Sequence, residues 1–146
     1  GELCVKTMEG LAAGTITPVS QEEAEATHVG MIKKSMGNLN FTRSAVELER
    51  LVRGLNPWPS AYTHLGNKTL KIWKARVEKN IVPDAVPGQV VAADADGIAV
   101  VTGDGLLVME EIQLEGKKRM PVADFLRGRD IPAGTILGEQ ESMTQA

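Results

Sequence analysis

The sequence predicts a mainly β domain of the α+β class, a small barrel with flanking helices, preceded by a helical segment that stands apart from it. Three observations carry that expectation. Between residues 61 and 114, short apolar stretches alternate with the turn signals Gly66-Asn67, Asp96-Gly97 and Gly103-Asp104-Gly105. Helical periodicity appears only outside that region. At 146 residues, the chain holds one domain, or one domain with a piece of another, and a domain of this size buries roughly 68% of its unfolded surface without staples.

The elements follow in order. ELCVKTMEGLAAG opens directly in a helix pattern, with Leu3, Cys4, Met8 and Leu11 near helical spacing and Gly10 or Gly14 to end it. A lone short helix cannot bury such a face against itself. Either it packs on the domain that follows, or it belongs to a larger protein. Gly14 to Val19 is an extended exit, and the polar run from Gln21 to Asn40 reads as a linker. Thr42 or Ser44 then caps a helix to about Leu55, and Glu47, three residues after Ser44, completes a capping box. Gly54 and Asn56-Pro57 stop it. Ala61 to Leu65 turns into Thr69 to Val77. Gln89 to Ala93 and Ile98 to Thr102 flank Asp96-Gly97 as a type I′ hairpin. Leu106 to Leu114 is the fifth strand of an expected meander, which closes into a barrel to hide its edges. Pro121 to Gly128 is a last short helix with proline at its first turn.

Composition excludes several classes. The single Cys4 forbids an internal disulfide and fits a reducing compartment. No apolar run approaches the roughly 20 residues that span a bilayer, and no signal peptide is present, so a cytoplasmic location is expected. His28 and His64 have no second ligand type at metal spacing. Asp94, Asp96 and Asp104 read as turn formers. No base orients Ser60 or Thr63 beside His64, and no helix follows the Gly103–Gly105 turn to cradle a phosphate. Catalytic, cofactor and metal residues are therefore expected to be absent.

Charge is more informative. The formal charge of −3 averages over blocks of −4 in residues 1–27, +7 in 28–79 and −6 in 80–146. Within the middle block, LVRGLNPWPSAYTHLGNKTLKIWKARV holds both tryptophans, the only tyrosine, five basic residues and no acid. Such a surface is suited to an anionic partner. The candidate contacts are Lys33, Lys34, Arg43, Arg53, Lys68, Lys71, Lys74, Arg76, Lys117, Lys118, Arg119 and Arg127, with Arg129 in support. On an ideal strand Lys68, Lys74 and Arg76 share one parity with Leu70 and Ile72, while Lys71 has the other. A twist or bulge is needed to bring them to a common edge.

Three blocks, LVRGLNPWPSAYT, KTLKIWKARV and GDGLLVMEEIQLEGKKRMPVADFLRG, resemble in order and spacing the C-terminal domain of the methionyl-tRNA formyltransferase family. GLAAGTITPVSQ resembles the last helix and exit strand of that family's N-terminal catalytic domain. The resemblance spans residues 1–137 and departs in the linker, where Phe41 stands for a common tryptophan and His28 for a tyrosine. It implies residues 1–27 as the tail of a Rossmann-like catalytic domain, 28–40 as the interdomain linker and 41–146 as a tRNA-binding barrel of oligonucleotide-binding type. It further implies a formyl transfer from 10-formyltetrahydrofolate to initiator methionyl-tRNA, with catalytic residues in the partner N-terminal domain of a monomer. Asn56-Pro57-Trp58-Pro59 is expected to be architectural, with Trp58 plugging the barrel end. Two other readings stay open: the second domain of a sugar-nucleotide formyltransferase, or a stand-alone nucleic-acid-binding barrel. Four to six phosphate contacts would give log K a slope of about −4 to −5 against log salt.

Overall fold

The computed structural model describes residues 1–138. It comprises two compact units that divide at Met31/Ile32. The first holds one α-helix, α1 (Glu2–Ala12), which buries none of its residues. Leu3, Val5, Met8 and Leu11 all stay exposed. Gly14 follows the helix with φ 65°, a left-handed value that suits glycine. A single 3₁₀ turn, Glu23–Glu25, interrupts the chain beyond it.

The second unit begins earlier than the sequence suggested. Leu39 is buried and its N–H donates to the Tyr62 carbonyl at 2.9 Å, so the end of the 28–40 segment packs on the strands. A second 3₁₀ turn (Lys34–Gly37) leads into it. The helix α2 (Ala45–Gly54) starts at the expected capping box: Ser44 Oγ accepts from the Glu47 N–H at 3.3 Å, and Glu47 Oε2 accepts from the Ser44 N–H at 3.2 Å. Its buried side, with Leu48 and Val52, lies on the sheet.

Six strands form one antiparallel sheet: β1 (Ala61–Leu65), β2 (Lys68–Glu78), β3 (Val90–Asp94), β4 (Gly97–Val101), β5 (Leu106–Leu114) and the short β6 (Met120–Pro121), followed by α3 (Val122–Leu126). The spatial order is β1-β2-β5-β4-β3, and β6 pairs with β5 beyond the end of β4. This corrects the expected meander, because β2 takes β5 as its neighbour and the β3–β4 hairpin folds to the outside. A second correction concerns that hairpin. Asp94 pairs with Gly97, so the turn residues are Ala95 and Asp96, one position earlier than the expected Asp96-Gly97. The Asp94 carboxylate accepts from the Asp96 N–H at 2.8 Å and sets the turn itself.

No strand pairing joins β3 to β1; residues 134–138 close the gap. Val90 N–H donates to Thr135 O at 2.8 Å and Leu137 N–H to Gly88 O at 2.8 Å, while Gly138 N–H reaches His64 O at 3.0 Å. The ring of backbone hydrogen bonds thus passes through a segment without strand periodicity. Inside it, Leu70, Ile72, Val90, Ile98, Val100, Leu107, Met109 and Ile112 are buried. Each such side chain contributes about 1.5–3 kcal/mol on burial. Gly103 sits where any Cβ would collide with the Thr42 carbonyl, which brings the β4–β5 turn against the start of α2. None of the described helices is long and apolar enough to cross a membrane.

Candidate nucleic-acid interface

The basic strand β2 runs beside the acidic end of β5, and the register between them is irregular. Ile72 pairs with Ile112, Lys74 with Glu111 and Ala75 with Met109. Trp73 is therefore an extra residue on β2, and Glu110 an extra residue on β5. The first bulge inverts the parity of everything after it. Lys71 and Trp73 face outward before the bulge, and Lys74 and Arg76 face outward after it, while Leu70, Ile72 and Ala75 face the core. The bulge also fixes the neighbouring turn, since Asn56 Nδ2 donates to the Trp73 carbonyl at 3.3 Å.

Sharing a face does not leave these cations free. Lys74 Nζ lies 2.9 Å from Glu110, and Arg76 bridges Glu110 at 3.2 Å and Glu78 at 2.9 Å. Arg119 makes a two-pronged contact with Glu111 at 2.8 and 2.6 Å and lies 4.7 Å above the Trp73 ring. The hydrogen bond from Lys74 holds the Glu110 carboxyl below the usual glutamate range, with Arg76 adding and partial burial opposing. The Arg119 hydrogen bond does the same for Glu111. Arg43 pairs with Glu47, Arg53 with Glu49 and Arg127 with Asp124.

The structure thus splits the candidates into two sets. Every candidate arginine, together with Lys74, holds a carboxylate. Lys33, Lys34, Lys68, Lys71, Lys117 and Lys118 hold none among the described residues. Lys33 and Lys34 flank the start of the second 3₁₀ turn. The other four gather at one end of the sheet, where the β1–β2 turn meets the β5–β6 turn. Lys71 pairs with Gln113, whose side-chain amide donates to the Lys117 carbonyl at 3.0 Å. The Trp73 indole N–H donates to the same Gln113 at 3.2 Å. Glu111, Arg119, Trp73 and Gln113 therefore form a continuous support under the Lys117 loop. The one acid inside the cluster, Glu115, accepts from the Thr69 N–H at 3.0 Å. Lys68 and Lys117 line one groove with Arg129, which enters the site although Arg127 is tied back to Asp124. Its sequence signal was only its place two residues beyond Arg127.

Trp58 does not plug the barrel. It is 60% exposed, and the buried residues of that turn are Leu55 and Ser60. Ser60 Oγ donates to Pro57 O and its N–H to Leu55 O, so polar contacts of a short side chain, rather than the indole, close the turn. The Ser60–Thr63–His64 group has no catalytic arrangement: Thr63 Oγ1 is buried without a partner, and His64 meets Tyr62 edge-on at 5.8 Å. No cluster of His, Cys, Asp and Glu suited to a metal occurs among the described residues.

A curled antiparallel sheet with a helix on its apolar side and a lysine-rich end defines a small, mainly β domain, and comparison with known proteins says of which kind. Residues 31–130 match the formyl transferase C-terminal domain family, and the chain belongs to that family. It is 54% identical over 141 residues to a methionyl-tRNA formyltransferase of Lachnospira eligens, covering 94% of this chain and 45% of that protein. Against the methionyl-tRNA formyltransferase of Bacillus subtilis identity is 43%, with 94% and 43% covered. The chain thus spans less than half the length of these relatives. The crystal structure of HypX from Aquifex aeolicus in complex with tetrahydrofolic acid shares the fold, with a TM-score of 0.56 at 18% identity, over 86% of this chain and 22% of that one.

Proposed function

We propose that this chain is the tRNA-holding C-terminal part of a methionyl-tRNA formyltransferase. In the whole protein it holds initiator methionyl-tRNA while a catalytic domain, whose tail is residues 1–27 and which is joined through the linker 28–40, transfers the formyl group from 10-formyltetrahydrofolate. The protein works as a cytoplasmic monomer, and the exposed apolar side of α1 is covered by that catalytic domain. One observation supports the reading: Lys68, Lys71, Lys117 and Lys118, without carboxylate partners among the described residues, lie at the end of the sheet where the β1–β2 and β5–β6 turns meet. Phosphates are the ligands such a cluster suits, because each contact releases counterions. Duplex RNA is recognised by shape and backbone, so this part alone discriminates little between tRNAs.

Fluorescence anisotropy with initiator and elongator tRNAs tests this. Binding of both, with log K falling about 4 to 5 units per log unit of salt for four to six contacts, is the expected result. Salt-independent binding, or none, sinks the reading. A strong initiator preference from this chain overturns the expectation that it discriminates little between tRNAs.

A further inference from the structure

A groove of about 510 Å³ opens beside the lysine cluster, between the β5–β6 turn and the exit of α3. Its floor is apolar, made by Leu114, Phe125 and half-buried Met120. Lys68, Lys117 and Arg129 stand exposed around it, and none has a carboxylate partner among the described residues. The one acid at the groove, Asp124, is 3.1 Å from Arg127 and so is already neutralised. The backbone of a duplex would use only the cations. It offers nothing to an apolar floor, and a concave site of this volume lies in the range of about 300–1,000 Å³ that encloses small molecules.

The ligand that satisfies floor and cations together is an anion carrying a flat, weakly polar ring. Resting on the RNA reading above, we infer that the groove takes one unpaired nucleotide. Its base lies on Leu114, Met120 and Phe125, and its phosphate meets Lys68, Lys117 and Arg129. Unpaired bases splayed from a helix are what RNA-binding proteins capture in such pockets. An acidic peptide would use the cations and leave the floor uncovered.

The test compares a short blunt RNA duplex with the same duplex carrying a single-stranded 3′ extension, by anisotropy with this chain. The extension tightens binding about fivefold or more, the gain of one base leaving water for an apolar surface. Gly128 lines the groove, its backbone is not left-handed, and a Cβ there meets open space. Gly128→Leu therefore adds an apolar side chain at the groove with no clash at its Cβ, reduces the gain from the extension and leaves blunt-duplex affinity unchanged. Equal affinity for the two duplexes overturns the inference, as does a gain that survives Gly128→Leu undiminished. So does displacement of the extended duplex by an oligoglutamate at the concentration where a free oligonucleotide displaces it. Failure of both duplexes to bind removes the RNA reading as well, which separates the two failures.

Discussion

Two stretches of the same strand pair carry similar numbers of positive charges and put them to different uses. At the bulge, Lys74, Arg76 and Arg119 are committed to Glu78, Glu110 and Glu111. A few residues away, Lys68, Lys71, Lys117 and Lys118 face solvent without carboxylate partners among the described residues. The first set closes an irregular register and supports the Trp73–Gln113 platform. The second set lies beyond it, at the end of the sheet where the β1–β2 and β5–β6 turns meet. A count of basic residues cannot tell them apart, because the difference lies in which strand runs alongside. Exposed ion pairs add little stability, so the first set is better understood as geometry than as strength.

The largest effect expected comes from removing the free set. Replacing Lys68, Lys71, Lys117 and Lys118 together by alanine weakens tRNA binding by at least about a hundredfold near 0.1 M salt and flattens the salt slope by about 3 to 4. An anisotropy titration across salt concentrations reads both numbers. Unchanged affinity would erase the distinction between the two sets.

Trp73→Ala strikes the platform instead. It removes a half-buried aromatic side chain that carries Arg119 and Gln113, at about 2 kcal/mol of stability in urea unfolding. The double variant Glu110→Gln/Glu111→Gln sharpens the comparison from the other side. It frees Lys74 and Arg119 and leaves Arg76 paired with Glu78 alone, so tRNA affinity rises about threefold to tenfold and the salt slope steepens. A fall in affinity would show that the paired cations already touch RNA.

The pH dependence follows from the same carboxylates. The folded-state pKa values of Glu110 and Glu111 lie below their unfolded values. Their contribution is therefore complete above the ordinary glutamate range, about 4.3, and is lost as pH falls through and below it. Being partly solvent-exposed, the two together account for about 1 kcal/mol or less. Urea midpoints measured from pH 7 downward drop for the natural chain and drop less for the double variant. Last comes Arg53→Ala, which breaks an exposed pair with Glu49 and leaves the unfolding midpoint where it was.

Local chemistry was well legible in the sequence. Ser44 and Glu47 form the expected capping box, the Gly66-Asn67 turn joins the expected strands, and the Asn56–Pro59 turn ends α2. The Asp94–Gly97 turn was misplaced by one residue because Asp94 itself makes an Asx turn, a choice the Asp-Gly dipeptide hides. Trp58 was misjudged because aromatic content alone does not say which way a side chain leaves a turn.

What the sequence determined by itself is therefore whatever depends on neighbours along the chain: caps, turns, strand alternation, the block of positive charge and the family to which the chain belongs. The tertiary structure decided the rest. It placed β5 beside β2, so that Glu110 meets Lys74 and Arg76. It inserted Trp73 as a bulge, and because side chains alternate with period two, one extra residue reversed the face of Lys74 and Arg76. It brought Lys68 to Lys117 across two turns far apart in sequence. Strand pairing is a non-local contact, fixed by the total burial of all the strands together, and no single segment encodes its partner.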